Sequence, residues 1–172
     1  MNLISLKVGE ELCKELVTLL KKHEVVVVIT AFDENGQAST ESEKVRISRR
    51  SYVVLVNEVK FPPEDIVFGP DVLTIGTGME EHVNYGVDST NAVKTIKEQC
   101  PYVKLSGGMS NLSIRFRGVT KIRESIHSMF LYHAILESDM DVGIVNAHEM
   151  LTIDEVEPES LEACEDLVFN RN

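Results

Sequence analysis

The residues with the clearest chemical potential lie in one segment, residues 106–118, which reads SGGMSNLSIRFRG. Its Gly107-Gly108 pair lets the main chain turn sharply and approach a ligand closely. Asn111 offers a donor and an acceptor on one amide, a combination that can recognise the edge of a flat heterocycle. Arg117 adds a planar guanidinium that suits a carboxylate or a carbonyl group. The segment therefore predicts a binding loop, with a capping asparagine and a solvated arginine as the alternative interpretation.

Other polar groups carry weaker signals. The segment 76–78 (GTG) lacks the lysine of a P-loop and the spacing of a dinucleotide-binding loop. The neighbouring segment 80–82 (EEH) has three consecutive polar residues, which suit a surface better than a metal site. His127 and His133 lie six residues apart on one predicted helix and are interpreted as structural. The sequence predicts no metal ligands.

Strands and helices alternate along the chain, and the strands decide where these loops lie. Residues 24–32 (EVVVVITAF) form an unbroken apolar run that is typical of a strand buried on both faces of a parallel sheet. The first predicted helix, residues 7–23, has a stripe of leucines at helical spacing: Leu12, Leu16, Leu19 and Leu20. Further strands are predicted over residues 2–5, 65–68, 102–106 and 141–145, and further helices over 42–59, 88–99, 120–137 and 158–169.

Such alternation indicates βαβ units and a parallel sheet. Ligands of these folds bind at the carboxyl ends of the strands, so loops 69–82 and 106–118 are expected on the same edge of the sheet. A complete eightfold barrel needs about 250 residues. Five units in 172 residues therefore fit either an open doubly wound sheet or part of a barrel. Composition and periodicity leave both alternatives open.

Charge and composition narrow the class of partner. The chain has 17 basic and 28 acidic residues, and its formal charge of −11 argues against a general nucleic-acid or anionic-membrane surface. It has no apolar run that approaches the roughly 20 residues needed to span a bilayer, and its start does not resemble a signal peptide. Cys13, Cys100 and Cys164 are scattered, which indicates reduced thiols. We therefore expect a cytoplasmic protein with neither nucleic-acid nor membrane partners.

Several segments resemble the pterin-binding domain of cobalamin-dependent methionine synthase, and the resemblance runs over essentially the whole chain. They read VITAFDENGQA, IGTGMEEHVNYGVD, KLSGGMSNLSIRFRG, RESIHSMFLYHAI and DVGIVNA. The resemblance implies a partial (β/α)8 TIM barrel of the dihydropteroate-synthase-like kind, with about five βα units. Residues 1–172 would be a single pterin-binding domain, truncated on its amino-terminal side. Dihydropteroate synthase itself fits less well, because SGGMSN replaces its expected Ser-x-Lys or Arg signature.

The resemblance also implies which residues contact a pterin. Asn111 is expected nearest to N5 of the pterin, as the catalytic residue. Asn146, at the mouth of the last predicted strand, is a weaker candidate chosen from its position. Gly69 stands where the family usually has an aspartate before proline, so we expect pterin recognition to be weakened here. The implied substrate-binding residues are Asn2, Asn111, Arg117 and Arg123.

The implied function is to bind 5-methyltetrahydrofolate as a substrate and to present its N5-methyl group to cob(I)alamin in methionine biosynthesis. Cobalamin and zinc would be held only by other domains of the full enzyme, and the implied partners are folate and the cobalamin domain. Without its first strands, the isolated chain is expected to be an inactive member of a methyltransferase family. The alternative is a non-catalytic partial barrel, a remnant or scaffold. Open sheet edges predict self-association in either case.

Overall fold

The structure is a computed structural model that describes residues 2–171, with only the main chain of Asn2. Within this range five parallel strands form one sheet in the order β1-β2-β5-β6-β7, and two short strands, β3 and β4, form an antiparallel hairpin directly after β2. The hairpin overlaps the end of the strand predicted over residues 24–32 and extends beyond it. The strands are β1 Asn2–Ile4, β2 Val27–Thr30, β3 Phe32–Asp33, β4 Gly36–Gln37, β5 Ile66–Gly69, β6 Lys104–Gly108 and β7 Val142–Ile144.

Helices connect the parallel strands. A capping box starts α2, in which the Glu43 main-chain N–H donates to Thr40 Oγ1 at 3.3 Å and the Thr40 N–H donates to the Glu43 carboxylate at 3.2 Å. α2 continues into a π-helical segment, Val53–Glu58, at whose end the Val59 N–H donates to the Val54 carbonyl at 3.1 Å. The helices are α1 Glu10–Lys21, α2 Glu41–Tyr52, α3 Tyr85–Gln99, α4 Met109–Leu112, α5 Thr120–Leu136 and α6 Pro158–Phe169.

The strand order decides between the two architectures that the sequence left open. A doubly wound sheet reverses its strand order at a switch point, whereas a barrel adds each strand beside the previous one. Here the five parallel strands follow the chain order without a reversal. Within residues 2–171, β1 and β7 are the two edges of the sheet. The architecture is therefore that of a partial barrel.

The two faces of the sheet differ in what covers them. Side chains alternate between the faces along each strand. One set packs against the helices and forms the core, with Ile29 and Phe68 at 2% and 1% exposed. The other set faces the inside of the barrel, where Leu3 on β1 is 72% exposed and Ile144 on β7 is 57% exposed. Apolar side chains at both edges of the inner face are therefore open to solvent.

Only one residue of the leucine stripe predicted for the first helix packs into the core. Leu20 packs against the core with the buried residues Cys13 and Val17, whereas Leu12, Leu16 and Leu19 are 44%, 41% and 53% exposed. The two sets of residues lie next to each other on the helix, and spacing alone does not tell which one meets the core. The three scattered cysteines are free, as predicted, and the structure shows that all three are buried.

Candidate functional site

A pocket of about 270 Å³ lies at the carboxyl ends of β6 and β7. This is the edge of the sheet at which ligands of parallel α/β folds bind. Its volume is slightly below the usual range for whole ligands and suits one end of a larger molecule. The residues that line it are Gly108, Ser110, Asn111, Ile144, Val145 and Asn146.

Asn111 lies on α4, a single helical turn that begins directly after β6. Its main-chain carbonyl accepts a hydrogen bond from Thr74 Oγ1 at 2.9 Å, and the next carbonyl, of Leu112, accepts one from the Ile75 N–H at 3.1 Å. Both donors belong to the loop after β5. The two loops therefore lie on the same edge of the sheet, as predicted, and the main chain of Asn111 is fixed while its side chain is exposed at the pocket.

Asn146 lies on the opposite wall, directly after β7. Its Oδ1 accepts a hydrogen bond from the His148 N–H at 3.2 Å, in the manner of a helix N-cap. That bond fixes the orientation of the amide and leaves the Nδ2 hydrogens as donors. The structure therefore brings together Asn111 and the candidate that was chosen from position alone. Two amides at adjacent strand ends can pair with the donors and acceptors of a flat heterocycle.

The two arginines are placed differently from the asparagines. Arg117 is exposed at the end of the loop and does not line the pocket. The Arg123 guanidinium is directed towards protein groups, since Nε donates to Ser113 Oγ at 3.3 Å and Nη2 lies 3.2 Å from Glu149 Oε2. The Asn2 side chain lies outside the part of the chain that the structure describes.

The loop that carries Asn111 is not extended. Polar and apolar residues alternate from Asn111 to Arg117, and in an extended segment this alternation would give one polar face and one apolar face. Residues Met109–Leu112 form a helical turn and Ile114–Phe116 a 3₁₀ turn. Ser113 is fully buried while Asn111 is exposed, so the two do not share a face. Backbone turns directly after Gly107-Gly108 override the two-residue period.

Gly69 ends β5 beside Thr30 of β2. A Cβ atom at this position would point to the inner face, 3.7 Å from Ser106 Oγ and 3.9 Å from Val28 Cγ1. These are ordinary van der Waals distances, so a Cβ atom is accommodated without a clash. The position at which the resemblance implies an aspartate therefore tolerates a side-chain Cβ next to the strand that leads to Asn111.

A charged cluster that the sequence analysis missed lies beside the mouth of β2 and β5. Lys44 on α2 is completely buried, and its Nζ donates to Ser89 Oγ at 2.8 Å. Burial lowers the pKa of Lys44 to about 8, against the opposing effect of Asp88 and Asp71. Burial also raises the pKa of Asp71, which accepts a hydrogen bond from Gln37 Nε2 at 3.0 Å. A lysine in a charged helical stretch predicts a solvated residue, so the sequence contains no signal for this burial.

Within residues 2–171 no group of three or more His, Cys, Asp or Glu side chains is arranged to hold a metal ion. No helix in this range is both long enough and apolar enough to cross a membrane.

Comparison with known protein families gives a match. The family model described as pterin binding enzyme matches residues 2–146, which include all five parallel strands and the pocket between Asn111 and Asn146. The match covers most of the chain, and the family has a TIM-barrel-like fold that agrees with the partial barrel seen here. The chain belongs to the family of pterin-binding enzymes.

Proposed function

We propose that this chain is the folate-binding part of a cobalamin-dependent methionine synthase, which holds 5-methyltetrahydrofolate and presents its N5-methyl group for transfer. The observation that carries the proposal is the pocket at the ends of β6 and β7, where Asn111 and Asn146 form opposite walls. Membership of the pterin-binding family supports a ligand of the folate type. The resemblance of residues 106–118 and 141–147 to the methionine synthase domain supports the more specific assignment.

The residues present fit a pterin. A pterin ring presents alternating donors and acceptors along one edge, and side-chain amides match such an edge because each carries both functions. Folate also ends in a glutamate carboxylate. Arg117, exposed beyond the pocket, is the residue of this loop that suits that carboxylate.

In the proposed reaction this domain forms no covalent bond to the substrate. The bond between N5 and the methyl carbon breaks, its electron pair stays on N5, and N5 is a much better leaving group when it is protonated. An amide cannot supply that proton, but the Asn111 oxygen can accept a hydrogen bond from the protonated N5 and stabilise it. Cob(I)alamin, held by another domain, supplies the nucleophile that takes the methyl group. Asn111 therefore acts by positioning and by electrostatic stabilisation.

Isothermal titration calorimetry with 5-methyltetrahydrofolate tests the proposal. Four proteins are compared: the chain itself, its Gly69→Asp variant, a fusion that places three further βα units of the family before β1, and that fusion with Gly69→Asp. We expect weak or no binding by the first and the tightest binding by the last. Tight binding by the unmodified chain would contradict the expected weakening. No binding by the last protein would contradict the site assignment.

A second candidate function, a non-catalytic scaffold that self-associates, is favoured by the exposed inner edges. Leu3 on β1 is 72% exposed and Val142 on β7 is 46% exposed, on strands whose outer main-chain groups have no neighbour within residues 2–171. Unpaired strand edges promote association. Sedimentation velocity should show a dimer or a larger oligomer that dissociates in the Leu3→Lys variant. A monomer at all concentrations would exclude this candidate.

A further inference from the structure

A buried hydrogen bond connects the loop that carries Asn111 to α5. Ser113 Oγ lies 2.6 Å from His127 Nε2, and the two residues are 0% and 1% exposed. Arg123 Nε donates to the same Ser113 oxygen at 3.3 Å. Among the described residues, His127 Nε2 is the acceptor within reach of the single Ser113 hydroxyl proton. We therefore assign the tautomer in which Nε2 accepts and Nδ1 carries the proton; Nδ1 is buried and has no hydrogen-bond partner among the described residues.

The turn that carries Asn146, on the other side of the pocket, is connected to the same helix by an ion pair. Arg123 Nη2 lies 3.2 Å from Glu149 Oε2. Glu149 closes the short turn that starts at Asn146, since its N–H donates to the Asn146 carbonyl at 2.8 Å. The guanidinium of Arg123 therefore contacts both loops: Nε bonds the loop of Asn111, and Nη2 bonds the loop of Asn146.

We propose that Ser113, Arg123, His127 and Glu149, here called the anchor network, hold Asn111 and Asn146 in register across the pocket, with Arg123 as a positioning residue rather than a ligand contact. The side chain of Arg123 is only 19% exposed, and two of its nitrogens, Nε and Nη2, are directed to Ser113 and Glu149. This role differs from the substrate binding that the resemblance implied for Arg123. The nature of the ligand rests on the proposed function, whereas the coupling of the two loops does not.

The network is sensitive to protons through His127. Burial lowers the pKa of His127 and the positive charge of Arg123 lowers it further, while Glu149 and Glu124 act in the opposite direction. A lowered histidine pKa stabilises the folded protein above the ordinary value of 6.5, and this contribution is lost as the pH falls through the lowered value. Protonation turns Nε2 into a donor, so the Ser113 hydroxyl proton loses this acceptor, and it places a second positive charge next to Arg123. Because that repulsion acts within the network that contacts both loops, we expect both loops to loosen in acid.

Hydrogen exchange on the ligand-free chain tests the coupling directly. Glu149→Gln removes a carboxylate from one wall, and we expect faster exchange of the amides of residues 111–113 on the other wall as well as of 147–151. Glu137→Gln is the matched control, because it removes a carboxylate that lies 2.8 Å from His133 on the same helix. It should leave both loops unchanged. Unchanged exchange of residues 111–113 in Glu149→Gln would overturn the proposal.

The role of His127 has its own spectroscopic test. The nitrogen-15 spectrum of the imidazole should show the Nδ1–H tautomer at pH 7, and a proton on Nε2 would contradict the network. His127→Gln keeps an acceptor near the position of Nε2 and cannot titrate in this range. This variant should retain slow exchange of residues 111–113 and lose the acid dependence. His127→Leu should lose the slow exchange, and equal behaviour of the two variants would contradict an acceptor role.

Measurements of ligand affinity distinguish a positioning role of Arg123 from a direct contact between Arg123 and the ligand. In the Gly69→Asp fusion protein, Glu149→Gln and Arg123→Gln should each weaken 5-methyltetrahydrofolate binding by about 5–10-fold, and the double variant should lose no more than either single variant. A loss confined to Arg123→Gln would show that Arg123 contacts the ligand directly. Absence of pterin binding in every protein would refute the proposed function, while the exchange experiment would still decide the coupling of the loops.

Discussion

Two regions lie at the same edge of the sheet: the carboxyl ends of β6 and β7, here called the first mouth, and the carboxyl ends of β2 and β5, here called the second mouth. The polar side chains of the two regions have different environments. At the first, the neutral amides of Asn111 and Asn146 are exposed at a pocket. At the second, β5 ends in Gly69. Of the charged residues nearby, Asp71 accepts a hydrogen bond from Gln37, and Lys44 on α2 is buried. At the first mouth Asn111 and Asn146 line the pocket, with Asn146 Oδ1 bonded to the His148 N–H, whereas at the second mouth Asp71 and Lys44 have partners within the protein.

The difference shows what a ligand site needs besides suitable residue types. Asn111 is available because its main chain is held by Thr74, so its amide is not needed to stabilise the loop. Asp71 has a suitable carboxylate, but one of its oxygens, Oδ2, accepts a hydrogen bond from Gln37. A carboxylate close to a pocket is therefore not equivalent to one at the strand end.

The largest effect on ligand affinity is expected when a polar side chain is introduced at the end of β5, in the second mouth. In the fusion protein described above, Gly69→Asp should tighten 5-methyltetrahydrofolate binding by about 10–100-fold, since a restored acceptor for a buried polar edge is worth about 1–3 kcal/mol. Gly69→Ala is the control, because it fills the same space without a carboxylate. Equal affinities of the two variants, measured by calorimetry, would contradict the claim that a carboxylate at position 69 supplies an acceptor to the ligand.

Removing the exposed amide of the first mouth comes next. In the Gly69→Asp fusion, Asn111→Ala should weaken binding by about 10-fold, the usual value of one hydrogen bond to a buried group. Methyl transfer to cob(I)alamin, followed by the cobalamin spectrum, should fall further than binding does, because the amide is expected to act most strongly on protonated N5. Asn57→Ala, an exposed asparagine on the π-helical segment, should leave both quantities unchanged.

Lys44 gives a pH-dependent effect on the second mouth. Its pKa is lowered from 10.5 to about 8, so the unfolded chain binds more protons between these values, and stability should rise by up to about 3 kcal/mol as the pH increases across this window. Lys44→Met should abolish this part of the rise, as measured by urea unfolding at pH 7 and pH 10. Lys22→Met, at an exposed lysine, serves as the control. The same rise in both variants would show that Lys44 is not its source.

The smallest effect is expected at Gln37. Its amide donates to Asp71 and holds the pKa of that carboxyl down against the effect of burial. Gln37→Ala should raise the pKa of Asp71 further, which an NMR titration of the carboxyl carbon would show, and should change stability by less than about 1 kcal/mol. An unaltered titration would mean that Asp71 does not depend on this contact in solution.

The sequence predicted those features that depend on a long local pattern. The apolar run of β2 is buried as expected, and Pro158 marks the first residue of α6, whose predicted bounds agree with the structure. Features that depend on tertiary contacts escaped prediction. Most of the leucine stripe of α1 lies beside the packing face, and Ser113 turns inward because His127, fourteen residues later, offers an acceptor. For the site, the loops were predicted, while the burial of Lys44 carries no local signal.

The π-helical segment Val53–Glu58 has a consequence for the history of this chain. A π turn is an α-helix with one residue inserted, and here it lets Val54 and Leu55, which are consecutive, both face the core. Its last hydrogen bond, from the Val59 N–H to the Val54 carbonyl, spans five residues instead of four. Relatives that lack one residue in this stretch should therefore close the helix with ordinary α-helical bonds. The segment marks the place where sequence alignments of this family should carry a single-residue gap.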